Sequence, residues 1–146
     1  MKVVKGFVVM LLLYSFYPLQ AQYNTGDPEL DKTLITLDTE ASISFGAFKA
    51  NISSRYHVSA GMIEYLTVDI GMTSGDIYLT LEIAEITKKS VNQVVVAYES
   101  NKGQGWGVIA RELGIEPGSI EFHILKGNAK SQENKPDQAY RGNGKI

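Results

Sequence analysis

Cysteine is absent from the 146 residues, which excludes disulfides and thiolate nucleophiles and leaves packing to hold the fold together. Histidine is scarce: His57 and His123 stand far apart, and neither lies in a metal-ligand spacing such as HExxH, so no zinc set can be drawn. Basic residues are in the minority, 14 against 16 acidic, which predicts no general attraction to nucleic acid or anionic lipid. Ser119 lacks a Gly-x-Ser-x-Gly frame, and no Gly-Lys-Ser/Thr follows the glycines at 103–107. A nucleophile elbow and a phosphate loop are thereby excluded. No catalytic, cofactor-binding or metal-ligating residue emerges, and no cofactor is expected.

What is present begins with an export signal. Lys2 and Lys5 precede an uncharged run, Gly6 to Tyr17, which Pro18 interrupts before the small Ala21. That is the layout of a secretory signal peptide, and the run is short of the ~20 apolar residues that a membrane-spanning helix needs. Residues 1–21 are expected to be cleaved, leaving a periplasmic or secreted chain with no stable membrane span. Without Lys2 and Lys5 the mature chain carries 12 basic and 16 acidic residues, a formal charge of −4. Its length suits a single helical domain, expected over residues 22–127. Residues 128–146, rich in Gly, Asn, Lys, Gln and Pro, read as a disordered polar tail.

Periodicity gives the fold class. Asp27-Pro28 can cap and start a helix. A stronger helix is expected from near Asp38, where Ala41, Phe45, Phe48, Ile52 and Tyr56 make one apolar stripe. Ser59 can cap a short helix burying Met62, Ile63 and Leu66. Ile77, Leu79, Leu81 and Ile83 alternate as in a strand, yet no second alternating run exists to pair with them, so a helix is expected there. Ser90 and Gln93 form a capping box ahead of the Val91, Val94, Val95, Tyr98 stripe. Trp106, Ile109, Ala110 and Leu113 share a face of the next helix, which Gly114 ends in a left-handed conformation. Ser119 caps a last short helix through Lys126. The expected fold is all-α, a small array of about five short-to-medium helices with a helix-turn-helix-like C-terminal half.

The most distinctive stretch runs from Tyr98 to Lys126 and contains Gly105-Trp-Gly-Val-Ile-Ala-Arg-Glu-Leu-Gly-Ile115, then Pro117-Gly-Ser-Ile-Glu-Phe-His-Ile-Leu-Lys126. It resembles an uncharacterised family of exported bacterial helical proteins with a GxGWGxIAxxLGIxPGSxxFHxLK motif. The match is specific over about residues 76 to 127 and weaker over residues 27 to 75. The resemblance implies an all-helical fold and export, and it brings no activity with it.

The residues themselves support competing roles. Trp106, with Tyr98 alongside and His123 in the following helix, would form a ligand-stacking surface if exposed. An aromatic that opens a core stripe is more often buried, and His123 between Phe122 and Ile124 reads as a half-buried structural residue. Ala110, Gly114 and Ile120 have helix-turn-helix spacing. However, the charges of residues 105–126 (Arg111, Glu112, Glu116, Glu121 and Lys126) sum to −1, where phosphate contact calls for a basic surface. An enzyme using His123 with Glu121 or Glu112 would need a cleft where those groups converge. The leading expectation is therefore a non-enzymatic binding or structural module of the cell envelope, whose partner is an envelope protein or glycan and not nucleic acid. The alternative is a helix-turn-helix-like nucleic-acid-binding protein.

Overall fold

A computed structural model describes residues 23–133. The expected leader, and the expected tail from residue 134 on, lie outside the described residues. Seven α-helices and one π-helical turn make up the described chain, with no strand among the described residues. This exceeds the expected array of about five because nearly every cap that the sequence offers is used.

Helix α1 (Pro28–Ile43) starts where Asp27 accepts hydrogen bonds from the Glu29 and Leu30 amides, with Pro28 in the first turn. The helix expected from near Asp38 is thus corrected. Its stripe is shared between two helices, because Ser44 leaves helical geometry at φ −145° and ψ 76° before α2 (Phe45–Tyr56) begins. Helix α3 (Ala60–Glu64), capped by the Ser59 hydroxyl, widens into a π-helical turn over Tyr65–Asp69.

Helix α4 (Ser74–Thr87) opens with a capping box between Thr73 and Asp76, and every residue from Gly75 to Ala84 is buried. That explains the misleading alternation: a helix enclosed on all sides carries apolar residues on every face and shows no single stripe. Helix α5 (Val91–Ser100) has the Ser90–Gln93 capping box expected for it. Helix α6 (Trp106–Glu112) is followed by Gly114 at φ 99°, the expected left-handed stop.

Helix α7 (Ile120–Glu133) corrects the expected tail. Instead of ending at Lys126 it continues through Glu133, because Ala129 and Gln132 are buried and Lys126 and Lys130 pair with Glu29 on α1. Helix α4 is the hub, touching α1, α2, α5 and α7, whereas α6 rests on α5. Helix α7 takes α1 and α4 as its main partners.

The hub contains a charged residue that the periodicity did not single out. Glu82 is 2% exposed and receives donors from two other helices: the Tyr56 hydroxyl, the Asn128 amide and, at 3.4 Å, the Arg55 guanidinium. Arg55 also donates to Gln132 at 2.8 Å, so a polar knot fastens α2, α4 and α7. A buried carboxylate is tolerated when its oxygens are satisfied in this way.

Candidate functional site

Trp106, the single tryptophan of the chain, is 3% exposed. Its Nε1–H donates to Asp76 Oδ1 at 2.7 Å, while Asp76 Oδ2 accepts the Thr73 amide at 3.0 Å. The indole is therefore core and is not available as a stacking surface. Tyr98 lies against it, ring centroids 5.5 Å apart and planes 36° from parallel. Tyr98 is half-buried, and burial together with the Asp76 charge pushes its hydroxyl pKa up to about 12.

His123 is exposed, its ring set edge-on to Phe122 at 6.4 Å. This corrects the half-buried reading: α7 turns Leu125 and Ala129 inward, and His123 falls outside that stripe. Glu121 is also exposed. Glu112 is exposed as well and accepts the Asn101 side-chain amide. The three stacking candidates separate into a packed pair, buried Trp106 with half-buried Tyr98, and a solvent-facing His123.

Sequence reasoning missed the segment that precedes α1. Tyr23 is fully buried, and its hydroxyl meets Asp38 and, at 2.7 Å, Thr73. Burial and the neighbouring Asp38 push that hydroxyl well above the ordinary tyrosine range. The Tyr23 and Asn24 carbonyls accept the Trp106 and Gly107 amides at 2.8 and 3.0 Å. They thereby satisfy the free first-turn donors of α6, whose cap residue Gly105 has no side chain to offer. Two glycines make room for the strap: a Cβ on Gly75 would lie 2.1 Å from the Tyr23 hydroxyl, and one on Gly105 2.7 Å from Asn24 Cβ. The legible signal was the cluster of glycines around Trp106, which admits backbone as well as an indole.

Strap, α6 and the Pro117-Gly118 turn enclose an open hollow of about 390 Å³. Its lining includes Asn24, Gln104, Arg111, Val108, Pro117 and Phe122, and the Gln104 side-chain amide also donates to Asn101 at 3.4 Å. No known protein family, curated protein or solved structure matches the chain. Among the described residues no set of three or more His, Asp or Glu side chains is placed to hold a metal ion, and no helix is long and apolar enough to cross a membrane.

Arg111 is the cationic residue among those lining the hollow. Its Nε lies 3.8 Å from the Glu116 carboxylate, and both side chains are more than half exposed. Asp27, on the strap wall, is already engaged: it caps α1 and pairs with Lys126 at 2.9 Å. Burial works against the ionised form of Asp27, but the Leu30 amide and Lys126 outweigh it and hold the carboxyl below the usual range.

Proposed function

We propose that this protein is an exported, non-enzymatic binding module of the cell envelope, and that the hollow between the strap, α6 and the Pro117-Gly118 turn is its contact site for an envelope glycan. The observation that carries this reading is the lining of the hollow. Asn24, Gln104, Arg111 and Phe122 are all among its lining residues, and amide, guanidinium and aromatic chemistry suits a ligand with a hydroxylated rim and an apolar face. The volume, about 390 Å³, is at the sugar-sized end of the range for ligand sites. The leader layout and the resemblance of the Trp106 motif support export.

The non-enzymatic part rests on where the ionisable groups are engaged. Asp76 serves Trp106 and the α4 cap, and Glu82 serves the knot between α2, α4 and α7. Each is held by structural donors. The helix-turn-helix alternative draws less support, since α6 and α7 take different main partners and the segment has a net negative charge.

The test is to purify residues 22–146, which include every described element, and to screen cell-wall fragments, glycans and envelope extracts by thermal shift and pull-down. A shift that Phe122→Ala and Gln104→Ala abolish without unfolding the domain is the expected result. Capture of an envelope protein through another face would move the contact site. Reproducible turnover lost with fold-preserving point changes would overturn the non-enzymatic reading.

A further inference from the structure

Taking the hollow as a glycan site, we propose that its ligands carry a carboxylate, as acidic sugars do, and that Arg111 is the residue that receives it. Guanidinium matches carboxylate with two parallel N–H donors, and Arg111 lines the same hollow as Asn24 and Gln104. Glu116 is tied to it loosely, with a carboxylate oxygen 3.8 Å from Nε, beyond hydrogen-bond length. Glu116 therefore acts as a loosely held internal stand-in, a carboxylate near the guanidinium that an incoming carboxylate exchanges for. An exposed pair of that length contributes little, so exchange meets little opposition. The other carboxylate on the wall, Asp27, is neutralised by Lys126 and does not repel an acidic ligand as a free charge would.

The stand-in role predicts opposite effects from two neighbouring changes, which a purely structural role for the pair does not. Oligomers of glucuronic acid and of glucose are titrated onto the protein, with binding read by calorimetry and by the amide resonances of Gly107 and Gly118. The acidic oligomer is expected to bind and the neutral one to bind at least tenfold more weakly. Glu116→Gln should tighten the acidic oligomer several-fold, Arg111→Gln should abolish the preference, and Arg111→Lys should restore part of it. Both positions are exposed, so these variants are expected to fold, and their melting temperatures check it. Equal binding of acidic and neutral oligomers sinks the carboxylate proposal and leaves a neutral-glycan site standing. Weaker acidic binding in Glu116→Gln also overturns it. If neither oligomer binds wild type, this inference falls, whereas the wider reading falls only if the glycan screen is empty too.

Discussion

The indole Nε1–H of Trp106 donates to the Asp76 carboxylate at 2.7 Å, so a single hydrogen bond joins the first residue of α6 to the first turn of α4. The same carboxylate closes the capping box with Thr73, which makes Asp76 the meeting point of two helix starts. Trp106→Ala removes a buried ring and this donor together and should cost about 3–5 kcal/mol. That is much of the ~5–15 kcal/mol that holds a domain. Trp106→Phe retains the apolar body and should cost less, about 1–3 kcal/mol, for the donor it takes from a buried acceptor. Urea titration of both variants checks the order, and a Trp106→Ala chain that melts within a degree or two of the parent would contradict burial.

Gly75 and Tyr23 are coupled by space. With a would-be Cβ 2.1 Å from the Tyr23 hydroxyl and 2.5 Å from the ring carbon bearing it, Gly75→Ala must push the ring out of its seat. The expected loss is about 1–3 kcal/mol, as for other overpacked cores. Tyr23→Ala alone should cost about 3 kcal/mol or more. In the double variant the clash is gone, so its cost should fall short of the sum of the two singles by at least ~0.5 kcal/mol. Chemical denaturation of the four chains measures the coupling, and strict additivity would place the ring elsewhere.

How far the sequence could be read differs between helix ends and interior. Local rules found the Ser90–Gln93 box, the Ser59 and Ser119 caps and the Gly114 stop, because each involves residues within one turn of each other. The start of α1 at Asp27-Pro28 was legible as well, but Ser44 gives no strong breaking signal, and the stripe across it read as one helix. Long-range partners left no local trace: Trp106 with Asp76 is 30 residues apart in sequence, and Tyr56 with Glu82 is 26. Glu82 on a helix predicts solvent on base rates, and only the convergence of Tyr56, Arg55 and Asn128 places it inside. The candidate site divides in the same way. Burial of Trp106 followed from its stripe, whereas the Tyr23 strap, anchored through Asp38, Thr73 and Gly75, has no periodicity to betray it.

Asp27 sets an acid limit to stability. Its folded pKa lies below the ordinary value, so the contribution is complete above the unfolded value of roughly 3.9 and is lost as pH falls through the folded pKa. Asp27→Asn keeps a competent cap and removes the pairing with Lys126, so at neutral pH it should cost less than about 1 kcal/mol. Asp27→Ala loses the cap too and should cost about 1–2 kcal/mol. Melting temperatures followed from neutral pH to below pH ~4 should converge on wild type for the Asn variant as the wild-type carboxyl protonates.

Glu40 has the opposite sign. Burial and the neighbouring Glu133 raise its pKa, so the folded state disfavours its charge, and stability is recovered as pH falls through the raised folded pKa. Glu40→Gln should raise the melting temperature at neutral pH, by an amount equivalent to a few tenths of a kcal/mol. The advantage should vanish in acid, where wild type is protonated as well. An advantage independent of pH would assign the effect to packing.

The Glu82 knot yields the sharpest contrast between two effects. Desolvating a carboxylate opposes folding, yet three donors are arranged around this one, and Glu82 itself is 3% exposed at the side chain against 25% for Arg55. Glu82→Ala abolishes the desolvation cost but leaves the Tyr56 hydroxyl and the Asn128 amide facing a void. The second effect should win, with a loss of about 3–5 kcal/mol. Adding Tyr56→Phe to Glu82→Ala removes one orphaned donor, so the double variant should be destabilised less than the two single losses predict, by ~0.5–3 kcal/mol. Since the knot ties α2 and α7 to α4, Glu82→Ala should also speed amide hydrogen exchange in both outer helices ahead of global unfolding. Uniform exchange at the global rate, or full additivity with Tyr56→Phe, would mean that apolar packing alone holds those helices in place.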